Sequence, residues 1–369
     1  MPTSTPYDLP APARPASVSG RDGAAGDGPR HHAMLRLLGI ALLALPALLV
    51  TSATASAQIL PSYGEDRAGT AGFQFLEVPV DPRGAALGGT AVSTADGASA
   101  LFWNPGLASR GGDTQATAAH LSYFSGVALN YVAATQRVGA FTVGAHVQTL
   151  DSGDMLVTDE FSGPNGTGQT FRYLGIVGGL TVGQSLTDLF SYGVTAKVAR
   201  EASADVAMTV PLLDLGVHYR IGQTGAKIGV AIRNFGLNGQ ADGEIERQSV
   251  DGETIIENEF EDVVPPTTFM LGVGYDVVRT GEHALSVAGQ LTNPNDNAEQ
   301  FNVGTEYVWN DLLALRAGYR FGVEEASLPS LGFGVVVPGL GERRLRADYA
   351  FDQLDRLGNT HRIGVSVQF

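Results

Sequence analysis

From Ala116 to the last residue the hydrophobic positions recur every second residue. Phe141, Val143, Ala145 and Val147 alternate with Thr142, Gly144, His146 and Gln148. Leu213, Leu215, Val217 and Tyr219 alternate with Asp214, Gly216, His218 and Arg220, and Ile363, Val365, Val367 and Phe369 with Arg362, Gly364, Ser366 and Gln368. Period two over eight to ten residues predicts strands with one apolar and one polar face. Fourteen such segments are predicted: 114–124, 127–137, 140–150, 171–182, 191–200, 206–220, 226–236, 267–278, 284–292, 300–309, 312–321, 330–337, 343–352 and 361–369. The even-numbered gaps between them are short. Most odd-numbered gaps are longer, above all 151–170 and 237–266, and only the first, near Ser125-Gly126, is short. A soluble sandwich has no reason to obey that parity, whereas outer-membrane barrels have short periplasmic turns and longer outer loops. The expectation is an all-β protein: a transmembrane antiparallel β-barrel of about 14 strands over 113–369, facing outer-membrane lipid.

The chain before Ala116 reads differently. Residues 1–33 are rich in Pro, Ala, Gly and Ser without apolar period, which predicts a disordered extension or a misassigned start. Residues 34–57 read as a signal peptide: Met34, Leu35-Arg36, the uncharged run Leu37–Val50, then Ala55-Ser56-Ala57. That run is short for a hydrocarbon core of roughly 30 Å, and no later stretch is long and apolar enough for a spanning helix. Closed barrels are the other way to satisfy a backbone in lipid. Export to the outer membrane follows as the expected localisation.

Composition adds two facts. There are 48 glycines and no cysteine in 369 residues, so a disulfide framework is excluded. Setting aside the four Arg and three Asp of residues 1–57 leaves 19 basic against 35 acidic side chains. That balance argues against a nucleic-acid partner, which is held by Lys and Arg on phosphate.

The stretch Phe73–Ser109, within a predicted N-terminal plug of 58–112, is Gly- and Ala-rich and nearly uncharged. Gly84, Gly88 and Gly89 permit left-handed backbone and close approach. Asp96 is expected to cap a short helix over Gly97–Trp103, which Asn104-Pro105 then stops. Phe102 and Trp103 are its largest side chains.

This stretch resembles the N-terminal region of the PorV/PorQ family of outer-membrane proteins, a branch of the FadL-like barrels. The residues that carry the resemblance are Phe75-Leu76, Asp81, Arg83, Gly84, Leu87-Gly88-Gly89, Ala95-Asp96, Ala98, Ala100-Leu101 and Trp103-Asn104-Pro105. Leu87 stands where the family usually has Met, and Gly106 where it has Ala. The specific match covers about a tenth of the chain. The resemblance implies a non-enzymatic carrier or adaptor in type IX secretion, with the translocon, secreted cargo and the surface attachment complex as partners. The alternative is a FadL-like channel for small hydrophobic compounds.

No catalytic, cofactor or metal constellation is legible. His120, His146, His218, His283 and His361 are scattered, there is no G-x-S-x-G, and Gly84–Gly89 lacks the Lys-Ser/Thr of a phosphate loop. His146, Lys197, Asp214, His218, Arg233, Arg316, Arg320, Arg344 and Arg346 lie on the polar phase of their strands and are expected to face the lumen. Phe369, closing an alternating strand, resembles the signal read by the barrel-insertion machinery. The acidic segment 237–266, with Arg247 its only base, is too long for a plain turn. It is expected to form a surface hairpin turning at Asp251-Gly252.

Overall fold

The computed structural model describes residues 68–158, 166–248, 254–323, 325–340 and 343–369. The described residues belong to one compact unit. The expected extension 1–33, signal peptide 34–57 and first residues of the plug, 58–67, lie outside the described residues.

All fourteen predicted strands are present. They are β1 (Thr114–Ser122), β2 (Ala128–Val138), β3 (Phe141–Asp151), β4 (Tyr173–Ser185), β5 (Phe190–Ser203), β6 (Val206–Arg220) and β7 (Ala226–Gly236), then β8 (Thr268–Arg279), β9 (His283–Pro294), β10 (Gln300–Trp309), β11 (Leu313–Phe321), β12 (Ser330–Leu340), β13 (Arg343–Leu354) and β14 (Gly358–Gln368). Each pairs antiparallel with its chain neighbours. β1 also pairs with β14, Ala118 opposite Val365, so the sheet closes. Closure removes both sheet edges, which is what lets strands cross lipid.

The alternation sorts the two faces. Leu180, Val182, Val198 and Ile363 point outward and are 71, 51, 56 and 57% exposed. A continuous aliphatic belt of this kind is a surface for lipid rather than water. The opposite phase, including Thr181, Thr195, Lys197, Asp214 and Arg316, is buried inside.

The turns at one end are short, as at 139–140, 186–189, 221–225, 280–282 and 310–312. The other end holds the long connections 152–172 and 237–267. It also holds more short ones than expected, since 204–205 and 355–357 join their strands tightly. β5 and β6 run for 14 and 15 residues, beyond the roughly 9–11 needed to span. Their tight turn therefore lies past the apolar belt. Within 237–267, Ile245–Gln248 pairs antiparallel with Thr254–Glu257. The expected hairpin strands are present; its turn, Asp251-Gly252, lies outside the described residues.

Residues 71–112 pack against the inner faces of the strands. Helix α1 (Pro82–Ala86) starts with Pro at its first position, and its cap is Asp81, which accepts from the Gly84 N–H at 2.8 Å. It ends through Gly88 and Gly89 at φ 67° and 86°, with Gly89 N–H donating to the Gly84 carbonyl at 2.9 Å. A 3₁₀ turn (Gly97–Ser99), helix α2 (Ala100–Trp103) and a second 3₁₀ segment (Pro105–Arg110) follow. Asn104 is extended and stops α2 as expected, but it also caps the next turn, accepting from Gly106 N–H at 2.9 Å.

Two expectations are corrected here. The Asp96 side chain caps nothing, because its carboxylate is engaged by an arginine across the lumen. Gly84 is helical rather than left-handed. It is required because the Trp103 ring lies on it: a Cβ there would come within 2.4 Å of Trp103 Cζ2.

The glycine excess has a related cause. Gly193 and Gly216 face each other in the β5–β6 ladder. A Cβ on them would meet the Pro105 carbonyl at 2.2 Å and Asn104 Oδ1 at 2.0 Å. Gly304 and Gly318, opposite each other in β10–β11, hold Leu87 and Gly88 equally close. The wall is bare where the inner backbone touches it.

Candidate functional site

Arg83 is the inner segment's main charged anchor. Its Nε and Nη2 donate to Glu306 Oε2 and Oε1 on β10 at 3.0 and 2.8 Å, and Nη1 donates to the Thr94 carbonyl at 2.7 Å. Glu306 Oε2 also accepts from Arg316 Nε on β11 at 2.6 Å. Arg316 Nη1 continues to Asp348 Oδ1 on β13 at 2.7 Å, and Arg346 Nε donates to Asp348 Oδ2 at 2.7 Å. Arg346 then makes a two-pronged bond to Asp96, 2.9 and 3.1 Å. Asp96 Oδ1 closes the circuit 4.0 Å from Arg83 Nη1. Three arginines and three carboxylates thus form a neutral ring, two members from the inner segment and four from the wall. Arg346 and Arg83 hold the half-exposed Asp96 carboxyl well below the usual range. Burial opposes the charge on Arg83, yet Glu306 and Asp96 keep it above its ordinary value.

A second polar group sits deeper. Lys197 Nζ lies 2.7 Å from Asp214 Oδ1 and donates to Asn234 Oδ1 at 2.5 Å. The β6–β7 register slips between Leu213 and Leu215. Asn234, left-handed at φ 56°, turns its N–H to Asp214 Oδ1 at 2.7 Å. Arg233 donates to the Leu76 carbonyl at 3.0 Å and lies 3.9 Å over the Phe102 ring. His146, also buried, joins them around a cavity of about 10 Å³.

On the long-loop side, Phe73, Phe75 and Leu76 fill an apolar recess made by Val177, Ala199, Val210 and Leu212 on β4, β5 and β6. Gln148 holds the segment there by donating to the Phe75 carbonyl at 2.8 Å. Glu77 follows, accepting from Thr268 Oγ1 at 2.8 Å. Burial, and then the nearby Asp296 carboxylate, push its pKa up to about 7.

The remaining motif residues are structural. Trp103 Nε1 donates to Asp81 Oδ2 at 3.2 Å, and its ring meets Phe102 edge-on at 5.0 Å. Asn104, fully buried, donates to the Val92 and Val217 carbonyls at 2.8 and 3.0 Å. It therefore ties the inner segment to β6. Pro105 starts the segment that lies on β5 and β6.

The short-turn end opens into a cavity of about 950 Å³, lined among others by Arg83, Asp96, Arg110, His218, Arg316 and Arg346. Arg344 is exposed at its rim. Arg320 stands apart, half-buried and 3.8 Å from Asp352. Phe369 is half-exposed, its N–H donating to the Thr114 carbonyl at 2.9 Å, its ring 5.0 Å from the Arg343 guanidinium.

The sequence reading placed the basic members of these groups on the inward phase but missed Glu306, Asn234 and Glu77 as partners. Glu306 was findable by the same alternation, being inward on β10. Asn234 owes its role to a register slip that leaves no sequence signature. Among the described residues no cluster of three or more His, Cys, Asp or Glu could hold a metal.

No known family model and no curated protein matches the sequence. Solved structures match in fold. The Pseudomonas putida toluene transporter TodX is 13% identical, covering 77% of this chain and 96% of its own, with a TM-score of 0.52. A TodX monoaromatic hydrocarbon channel carrying the deltaS2S3 change gives 13%, 78% and 97%, and 0.53. The CymD monoaromatic hydrocarbon channel gives 12%, 79% and 96%, and 0.50. The fold is thus shared with these hydrocarbon channels.

Proposed function

We infer that this chain is an outer-membrane channel for small hydrophobic compounds. The observation that carries the reading is the apolar recess on the long-loop side. It is filled by the chain's own Phe73, Phe75 and Leu76, held by carbonyl hydrogen bonds from Gln148 and Arg233. A hydrophobic compound entering from the outer side would replace those side chains in the recess. The barrel is filled between recess and cavity by the inner segment, so passage requires that segment to shift. The fold likeness to channels for toluene and related aromatics supports this reading. The test is hydrocarbon entry into cells whose own outer-membrane channels are deleted. Entry should rise with this protein and rise further when Arg83 is replaced.

A second reading is the PorV/PorQ-like carrier, working in type IX secretion between the translocon, secreted cargo and the attachment complex. It is favoured by the motif from Phe75 to Pro105 and by the acidic hairpin, where Ile255 and Ile256 are over half exposed. Replacing residues 240–262 by a Gly/Ser linker would separate the two. Loss of cargo display at equal barrel abundance supports the carrier; unchanged display with changed uptake of hydrophobic compounds supports the channel.

A further inference from the structure

The large cavity at the short-turn end is charged unevenly. On one wall, basic groups come together from three elements: Arg110 ends the inner segment, His218 and Arg220 end β6, and Lys227 lies at the start of β7. The turn 186–189 brings the first three together. Arg110 Nη1 donates to the Asp188 carbonyl at 2.5 Å and Nε to Ser191 Oγ at 2.9 Å. Ser191 lies directly opposite His218 in the β5–β6 ladder. The Arg220 N–H donates to the neighbouring Leu189 carbonyl at 2.8 Å, and Arg220 stands opposite Lys227 in β6–β7.

Lys227 is matched by Asp276 at 2.9 Å. The others are not matched. Arg110 Nη2 is buried without a hydrogen-bond partner. His218 is 2% exposed, and neither ring nitrogen makes a hydrogen bond of acceptable geometry, although the ring faces the Ser93 backbone. Arg220 makes no ion pair among the described residues, and the exposed Asp188 carboxylate lies beyond ion-pair distance of Arg110. Buried donors without acceptors are costly, and adjacent guanidinium groups repel. Both costs are relieved by one bound anion.

We propose that Arg110, His218 and Arg220 form a carboxylate-binding subsite at the short-turn mouth. It takes the acid group of a small amphiphile, such as an aromatic acid, leaving the barrel. The assignment rests on the channel reading above. Guanidinium groups match a carboxylate in charge and in planar geometry. Leu107 and Ala98 line the same cavity and offer the apolar remainder a surface.

The test is calorimetric titration of the purified full-length barrel with benzoate, and with benzyl alcohol as its uncharged counterpart, at low and high salt. Benzoate should bind, more weakly at high salt, and about tenfold more weakly in Arg220→Gln and in Arg110→Gln. Benzyl alcohol should not distinguish these variants from the parent. Arg220 is exposed, so its variant should fold, and heat-modifiable mobility checks this. Equal benzoate binding in the Arg110→Gln/Arg220→Gln double variant would overturn the subsite. Displacement of benzoate by an equal concentration of inorganic phosphate would overturn the amphiphile as its ligand. Hydrocarbon uptake, measured separately, keeps the two claims apart. Normal uptake without benzoate binding sinks only the subsite, and benzoate binding without uptake sinks the channel.

Discussion

Arg83 and Glu306 lie 223 residues apart in sequence and meet in a two-pronged hydrogen bond inside the barrel. The pair joins the inner segment to β10, and through Arg316, Asp348, Arg346 and Asp96 the connection returns to the inner segment. Buried charges persist where each is matched, and removing one member leaves the others uncompensated.

Arg83→Met is therefore expected to weaken docking of the inner segment by about 3–5 kcal/mol. The barrel should remain closed, because its ladders do not use Arg83. Limited proteolysis should cut within 71–112 faster while heat-modifiable mobility is unchanged. Arg83→Met/Glu306→Gln should lose less than the two single changes added together, and strict additivity would contradict the ring.

Trp103 and Gly84 form a second joint. Trp103→Ala should destabilise the inner segment by about 3–5 kcal/mol, the cost of emptying a buried aromatic site. Gly84→Val should produce a comparable defect from the opposite side, since the new side chain would occupy the place of the indole. Near-ultraviolet circular dichroism should lose Trp signal in both. A native spectrum in Gly84→Val would contradict the stacked geometry.

The strands were legible because an inner polar and an outer aliphatic face impose period two on every spanning segment. The ion ring was only half legible. Arg316 and Arg346 declare themselves by phase, but nothing local links them to residues 83 and 96, which are brought to them by closure of the barrel. Asp96 was misread for the same reason: its position fits a cap, yet a two-pronged arginine outcompetes a backbone N–H. The glycines were visible as composition alone. Their meaning, a bare wall for a second backbone, needs the inner segment in place.

Glu77 makes docking depend on pH. Its carboxyl is raised from 4.5 to about 7 when the segment is docked. Between those values the docked form holds a proton that the undocked form has released. Docking is therefore strongest below pH 4.5 and weakens as pH rises through about 7. Asp81, raised chiefly by its burial, acts in the same direction. Protection of 71–112 from protease should be greater at the acidic end of this window, and Glu77→Gln should shrink the difference. An unchanged pH profile in Glu77→Gln would remove Glu77 from the account.

The central claim is that hydrophobic compounds cross this barrel by displacing Phe73, Phe75 and Leu76. Its most direct test is the rate of radiolabelled toluene entry into cells lacking their own hydrocarbon channels, with this protein at equal, measured abundance in every sample. Entry above the empty-vector rate is predicted, faster in Arg83→Met, where the inner segment is less firmly held. Entry at the empty-vector rate in both, with folded barrel present, would contradict the claim.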